Sequence, residues 1–169
     1  VHDDADAALA TIVDRYHRID ERFDAIVIVG SDYTDVGSPT ELSFNARIAA
    51  NLGAPVLLVL TGRTADDTGG RTADEMRQIA ELSFPELANE HAQALAVVVN
   101  RADPEHLDEI VAATRDAVGG LPVWAVPEDP YLIAPTMRAI MQATDGHLVK
   151  GDETLLQREA LGVVVSAMS

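Results

Sequence analysis

A chain of 169 residues that is 47% hydrophobic is long enough for one domain with a sizeable core, and with 4% aromatics that core is expected to be Ala, Val, Leu and Ile. Against 12 basic residues stand 28 acidic ones, a formal net charge of −16; such a surface repels phosphate backbones and argues against nucleic acid and anionic membrane as partners. The absence of cysteine excludes disulfides, thiolate metal sites and a cysteine nucleophile.

In chain order, residues 5–22 carry Leu9, Ile12, Val13, Tyr16 and Ile19 at helical spacing. The opening VHDDADAALA lacks the basic start of a signal peptide and does not begin with Met. A processed or excised chain in the cytoplasm is therefore expected. AIVIVG (25–30) is a continuous apolar run, the pattern of a strand buried on both faces of a parallel sheet. SDYTDVGSP (31–39) is a loop. Pro39, Thr40 and Glu41 open a helix to about Leu52, with Gly53 placed to end it. APVLLVL (54–60) reads as a second strand.

TGRTADDTGGRT (61–72) is a polar loop, and Thr72 with Glu75 forms a capping-box pattern ahead of a helix reaching about His91. Pro85 is a candidate break in that helix. ALAVVVN (94–100) is a third strand. Asp103 and Pro104 start a helix that ends at Gly119-Gly120. LPVWAVP (121–127) is a fourth strand, and a helix follows from Tyr131 to Ala143, with Pro135 tolerable if it lies in the first turn. LGVVVSAMS (161–169) is a fifth apolar run. No apolar run approaches the ~20 residues of a membrane span. The alternation predicts an α/β fold, a mainly parallel, open, three-layer sheet with right-handed crossovers. Ligands of such sheets bind beyond the carboxyl ends of the strands.

Several motifs fail when tested. G-x-x-x-x-G-K-[ST] needs a lysine, and the sole one, Lys150, lies in V-K-G. VGSDYTDVG has the wrong spacing for a dinucleotide fingerprint. His2, His17, His91, His106 and His147 show no metal-ligand spacing, and no serine sits in G-x-S-x-G. No metal, cofactor or catalytic residue is expected. Gly69 and Gly70 could expose amides to a phosphate, or could belong to a connector that Thr72 caps. Asp32 and Asp35 could hold magnesium, or form a solvated loop. In VVVNRADP (97–104), the Asn100 amide can match a purine edge, and Arg101 can stack on a base or pair with a phosphate. Capping accounts for Asp103 and Pro104 but not for Asn100.

The segments DAIVIVGSDYTDVGSPTELSFNARIAANLGAPVLLVL, VVVNRADPEHLDEI, LPVWAVPEDPYLIAPTMRAI and HLVKGDETLLQREALGVVVSAMS, in that order, resemble the N-terminal region of long-form phosphate acetyltransferases. The resemblance implies a dethiobiotin synthetase-like, P-loop-NTPase-like fold over residues 1–150, here without its opening strand and P-loop. It implies that 151–169 is a linker and the first strand of a following DRTGG-type domain. DTGGR (67–71) lies too early to belong to that domain. The parent enzyme transfers acetyl between coenzyme A and phosphate in acetate metabolism, and its N-terminal region is regulatory. The implied partners are the rest of the parent enzyme and further copies in a homo-oligomer. Related synthetases carry V-E-G where this chain has Val29, Gly30 and Ser31, which argues against ATP hydrolysis. Asn100, with Arg101 beside it, matches the base-contacting asparagine of those synthetases, so the pair would be a vestigial nucleotide corner. The alternative is a truncated ATPase or synthetase of the dethiobiotin or cobyrinic acid synthetase type.

Overall fold

The computed structural model describes residues 2–31 and 39–162. The chain divides into two compact units, Val1–Pro127 and Glu128–Ser169.

The first unit is built on three parallel strands in the order β1 (Val56–Thr61), β2 (Ala94–Ala102) and β3 (Val123–Pro127). Helices α1 (His2–His17) and α2 (Pro39–Leu52) precede the sheet. Helix α3 (Ala73–Asn89) joins β1 to β2, and α4 (Leu107–Ala117) joins β2 to β3. This is the expected open parallel α/β arrangement. Strand residues alternate between faces, so Leu58, Leu60, Val97, Val99 and Val123 fall on one side. There they form a single buried cluster with Leu42 and Ala46 of α2, Met76, Ala80 and Leu87 of α3, and Ile110 of α4. The opposite side carries Leu57, Val59, Trp124 and Val126, which are 51%, 52%, 56% and 45% exposed.

Local signals explain the helix ends. Thr72 and Glu75 form the predicted capping box: the Glu75 amide donates to the Thr72 hydroxyl, and the Glu75 carboxylate accepts from the Thr72 amide. Helix α3 runs unbroken through Pro85. Pro85 is exposed, so the Glu81 carbonyl that loses its partner faces water. Helix α4 starts one turn later than Asp103-Pro104 suggested. Asp103 instead accepts from the Glu105 amide in a local turn.

The strand expected at 25–30 does not form. The segment makes no strand ladder among the described residues, and Val27 and Val29 are each 89% exposed. Strand character needs a partner for the backbone amides and carbonyls. An apolar run that finds none forms no ladder, however strand-like its composition.

The second unit contains the one-turn helix α5 (Pro130–Ile133), α6 (Met137–Ala143) and a 3-10 helix at Glu153–Gln157. The single helix expected over 131–143 is split at Pro135. Ala134, forced out of helical geometry by the proline, sits at φ −68°, ψ 129°. Thr136 then caps α6 by accepting from the Ala139 amide at 3.1 Å. Thr136 and Glu159 form an isolated antiparallel bridge, and Leu156 is buried. Of the C-terminal apolar run, Leu161 is exposed, and residues 163–169 lie outside the described residues.

Candidate functional site

The carboxyl ends of β1 and β2 lie side by side, with Thr61 paired to Asn100. From Thr61 the chain makes a tight, internally bonded loop. The Gly62 amide donates to the Asn100 carbonyl at 2.7 Å, and the Arg71 amide donates back to the Gly62 carbonyl at 2.7 Å. Arg63 and Gly70 form an antiparallel bridge. The Gly62 site is too close to β2 for any side chain, since a Cβ there would stand 2.7 Å from the Ala102 Cα. The loop is therefore pinned against the end of β2.

Two carboxylates organise this loop. Asp66 accepts from the Thr64 hydroxyl at 2.7 Å and the Thr68 hydroxyl at 2.8 Å, and these bonds hold it below the usual carboxylate range. Asp67 accepts through one oxygen from Arg63 Nε at 3.1 Å and from an Arg101 guanidinium nitrogen at 2.9 Å. The Arg63 bond first, then the Arg101 bond, lowers its pKa. Arg63 also donates to the Asp67 carbonyl at 2.6 Å. Asp67 and Arg101 both adopt left-handed backbone, at φ 56° and 58°. That region is uncommon for side-chain-bearing residues, and least so for Asp and Asn.

The two residues singled out in the sequence are thus both at the carboxyl edge, but they do different things. The Asn100 side chain is exposed and makes no hydrogen bond among the described residues. By strand alternation it shares the open face with Val98. Arg101 turns into the loop and is held by Asp67. The Gly69 amide, a candidate phosphate donor, is directed to the Thr64 hydroxyl at 3.2 Å, so the loop consumes it. Thr72 caps α3, as the connector reading requires. Asp32 and Asp35 lie outside the described residues. Among the described residues no three His, Asp or Glu side chains gather as metal ligands.

Two features escaped the sequence reading. The Arg63–Asp67–Arg101 cluster joins residues 34 positions apart and carries no motif. Asn45 of α2 accepts from the Ser31 amide and hydroxyl and donates to its carbonyl, each at 3.2 Å, which fastens the end of the 25–30 segment to α2. Neither has a spacing that sequence alone would single out.

Comparison with known proteins places this geometry in a family. The chain is 28% identical over 152 residues to a phosphate acetyltransferase of Synechocystis sp., covering 89% of this chain and 21% of that protein. It is 25% identical over 148 residues to the phosphate acetyltransferase of Nitratidesulfovibrio vulgaris, covering 85% and 20%. The chain thus spans about a fifth of the length of the curated relatives it matches. Among solved structures, the arginine decarboxylase of Paramecium bursaria Chlorella virus covers 68% of this chain and 36% of its own at 16% identity, with a TM-score of 0.39, too low to bear on the fold. Residues 2–136 match the AAA_26 family, described as an AAA domain. The chain belongs to that family, which has a P-loop-like fold and occurs in the N-terminal region of phosphate acetyltransferases.

Proposed function

We propose that this chain is a regulatory or structural, non-catalytic part of a cytoplasmic phosphate acetyltransferase of acetate metabolism. On this reading its role is to pack against the remainder of the parent enzyme and to support a homo-oligomer. The observation that carries the reading is the open sheet face bearing Leu57, Val59, Trp124 and Val126. Parallel sheets are normally covered on both faces, and a contiguous apolar surface of this kind marks a place where further protein packs. The length of the relatives supports it, since four-fifths of each lies outside the match and offers room for acyl-transfer machinery.

The test has two arms. Purified chain, given acetyl-CoA and phosphate, should form no acetyl phosphate beyond a protein-free blank; turnover above that blank overturns the non-catalytic reading. In the full-length parent, Trp124→Asp should alter subunit assembly by light scattering or the response of the enzyme to effectors. An unaltered assembly and response would remove the sheet face from the reading.

A further inference from the structure

On the open face of the sheet Val59, Val98 and Trp124 stand in a single row across the three strands, since Val59 pairs with Val98 and Val98 with Trp124. By strand alternation Leu57 extends the row toward the amino end of β1, and Val126 extends it toward the carboxyl end of β3. Val98, in the middle, is half-buried, while Leu57, Val59, Trp124 and Val126 are between 45% and 56% exposed. No charged residue stands in β1 or β3, and none stands in β2 before Arg101, which turns into the 61–72 loop.

The size of this strip and the charge around it narrow what can cover it. Neighbouring strands lie ~4.8 Å apart, so β1 and β3 are about 10 Å apart, the diameter of one α-helix with its side chains. The other face is closed in the same way, by residues of α2, α3 and α4. The surroundings are acidic: Val1–Pro127 carries 22 Asp and Glu against 9 Arg and no Lys, a net charge of −13. A second copy would bring the same charge to the same face, and like charges set against each other disfavour the pairing. Lys and Arg beside an apolar stripe do the opposite, because their stems extend the apolar cover while their heads meet the acidic rim. The curated relatives match over only 21% and 20% of their length, so most of such a parent lies outside this chain and can supply the covering element.

We propose that the open face seats one amphipathic helix, supplied by the part of the parent protein outside this chain, with Lys and Arg flanking its apolar stripe. Leu57, Val59, Trp124 and Val126 receive the stripe. This rests on the reading that the chain is part of a larger enzyme and that its open face is a docking face. It adds the shape and the charge of what docks.

Trp124 is the chain's sole tryptophan, so its fluorescence reports the face directly. A designed peptide of roughly 18 residues, long enough to be helical alone, carries one leucine stripe flanked by lysines, and its counterpart has glutamate in place of each lysine. Titrated into the whole chain at low ionic strength, the lysine peptide should shift Trp124 emission saturably to the blue. Its dissociation constant should lie roughly tenfold or more below that of the glutamate peptide. Val59→Glu separates docking from charge attraction alone. It makes the chain more acidic yet places a charge in the apolar row, and it should weaken the lysine peptide roughly tenfold. Val126→Glu does the same from β3 if Val59→Glu does not fold. Binding that persists or tightens in the variant overturns the proposal. Equal affinity for the two peptides, or binding of neither, also overturns it, while the docking face itself is decided separately by Trp124→Asp in the full-length parent. A blue shift that grows with the concentration of peptide-free chain, with a doubled mass by light scattering, would seat a second copy there and overturn it as well. In the parent, a photo-crosslinking residue placed at Leu57 should label a Lys- or Arg-flanked helix of the parent polypeptide; label on any other segment overturns the proposal.

Discussion

Among the described residues Thr114, fully enclosed in α4, is the buried polar one on the helix-covered side, and its hydroxyl has no hydrogen-bond partner there. Enclosing a hydroxyl without a partner costs free energy, whereas valine fills the same space without that cost. Thr114→Val should therefore raise stability, by about 1 kcal/mol, read as a higher denaturant midpoint at unchanged slope. A lower midpoint would show that the hydroxyl is paired after all. Exposed carboxylates set a second expectation. Asp66, Asp67, Glu75 and Asp152 all sit below their ordinary pKa range. The causes are, in turn, the hydroxyls of Thr64 and Thr68, the guanidiniums of Arg63 and Arg101, the amide and hydroxyl of Thr72, and the amide and hydroxyl of Thr154. A carboxylate whose folded pKa is depressed stabilises the fold above its unfolded value, and that contribution fades as pH falls through the folded one. Stability should be level near neutrality and decline once pH drops into and below the usual carboxylate range. Glu75→Gln should flatten that decline in urea titrations across acidic pH; an identical slope in the variant would take Glu75 out of the account.

At the scale of elements, α3 is held at its start by the Thr72–Glu75 box and inside by Met76, Ala80 and Leu87. Losing the Thr72 hydroxyl leaves the Glu75 amide unsatisfied. Thr72→Ala should cost about 1 kcal/mol and lower the melting temperature, while Thr72→Ser should restore most of the loss. Equal melting for all three proteins would refute the cap's importance. This box was readable because both partners lie within four residues. The strands β1, β2 and β3 were readable because unbroken valine and leucine runs suit burial in a parallel sheet. The 25–30 run has the same composition, yet it forms no ladder among the described residues. Composition reports what a segment can do, and the presence of a neighbour decides whether it does so. Asn100 and Arg101 could be placed near the carboxyl end of a strand because the run of valines before them is visible in sequence. Their divergence was not, because it follows from the backbone at Arg101 and from a carboxylate 34 residues away.

Across the whole molecule, no helix among the described residues is long and apolar enough to cross a membrane, and the charge of −16 sets up a long-range repulsion that any approach of two chains must overcome. That repulsion is a safeguard with a salt-dependent strength. The largely exposed stretch 25–30 holds four consecutive β-branched residues, Ile26, Val27, Ile28 and Val29, with no charge and no proline, the signature of segments that stack into cross-β fibrils. Stored at high ionic strength, the isolated protein should accumulate thioflavin-positive fibrils, and Val27→Pro should delay them strongly, because proline has no N–H to donate to the next layer of the fibril. Unchanged lag times in the variant would place the nucleus elsewhere. The segment thus acts as a latent clock, in which shelf life depends less on how firmly the protein is folded than on how well its neighbours are kept at a distance.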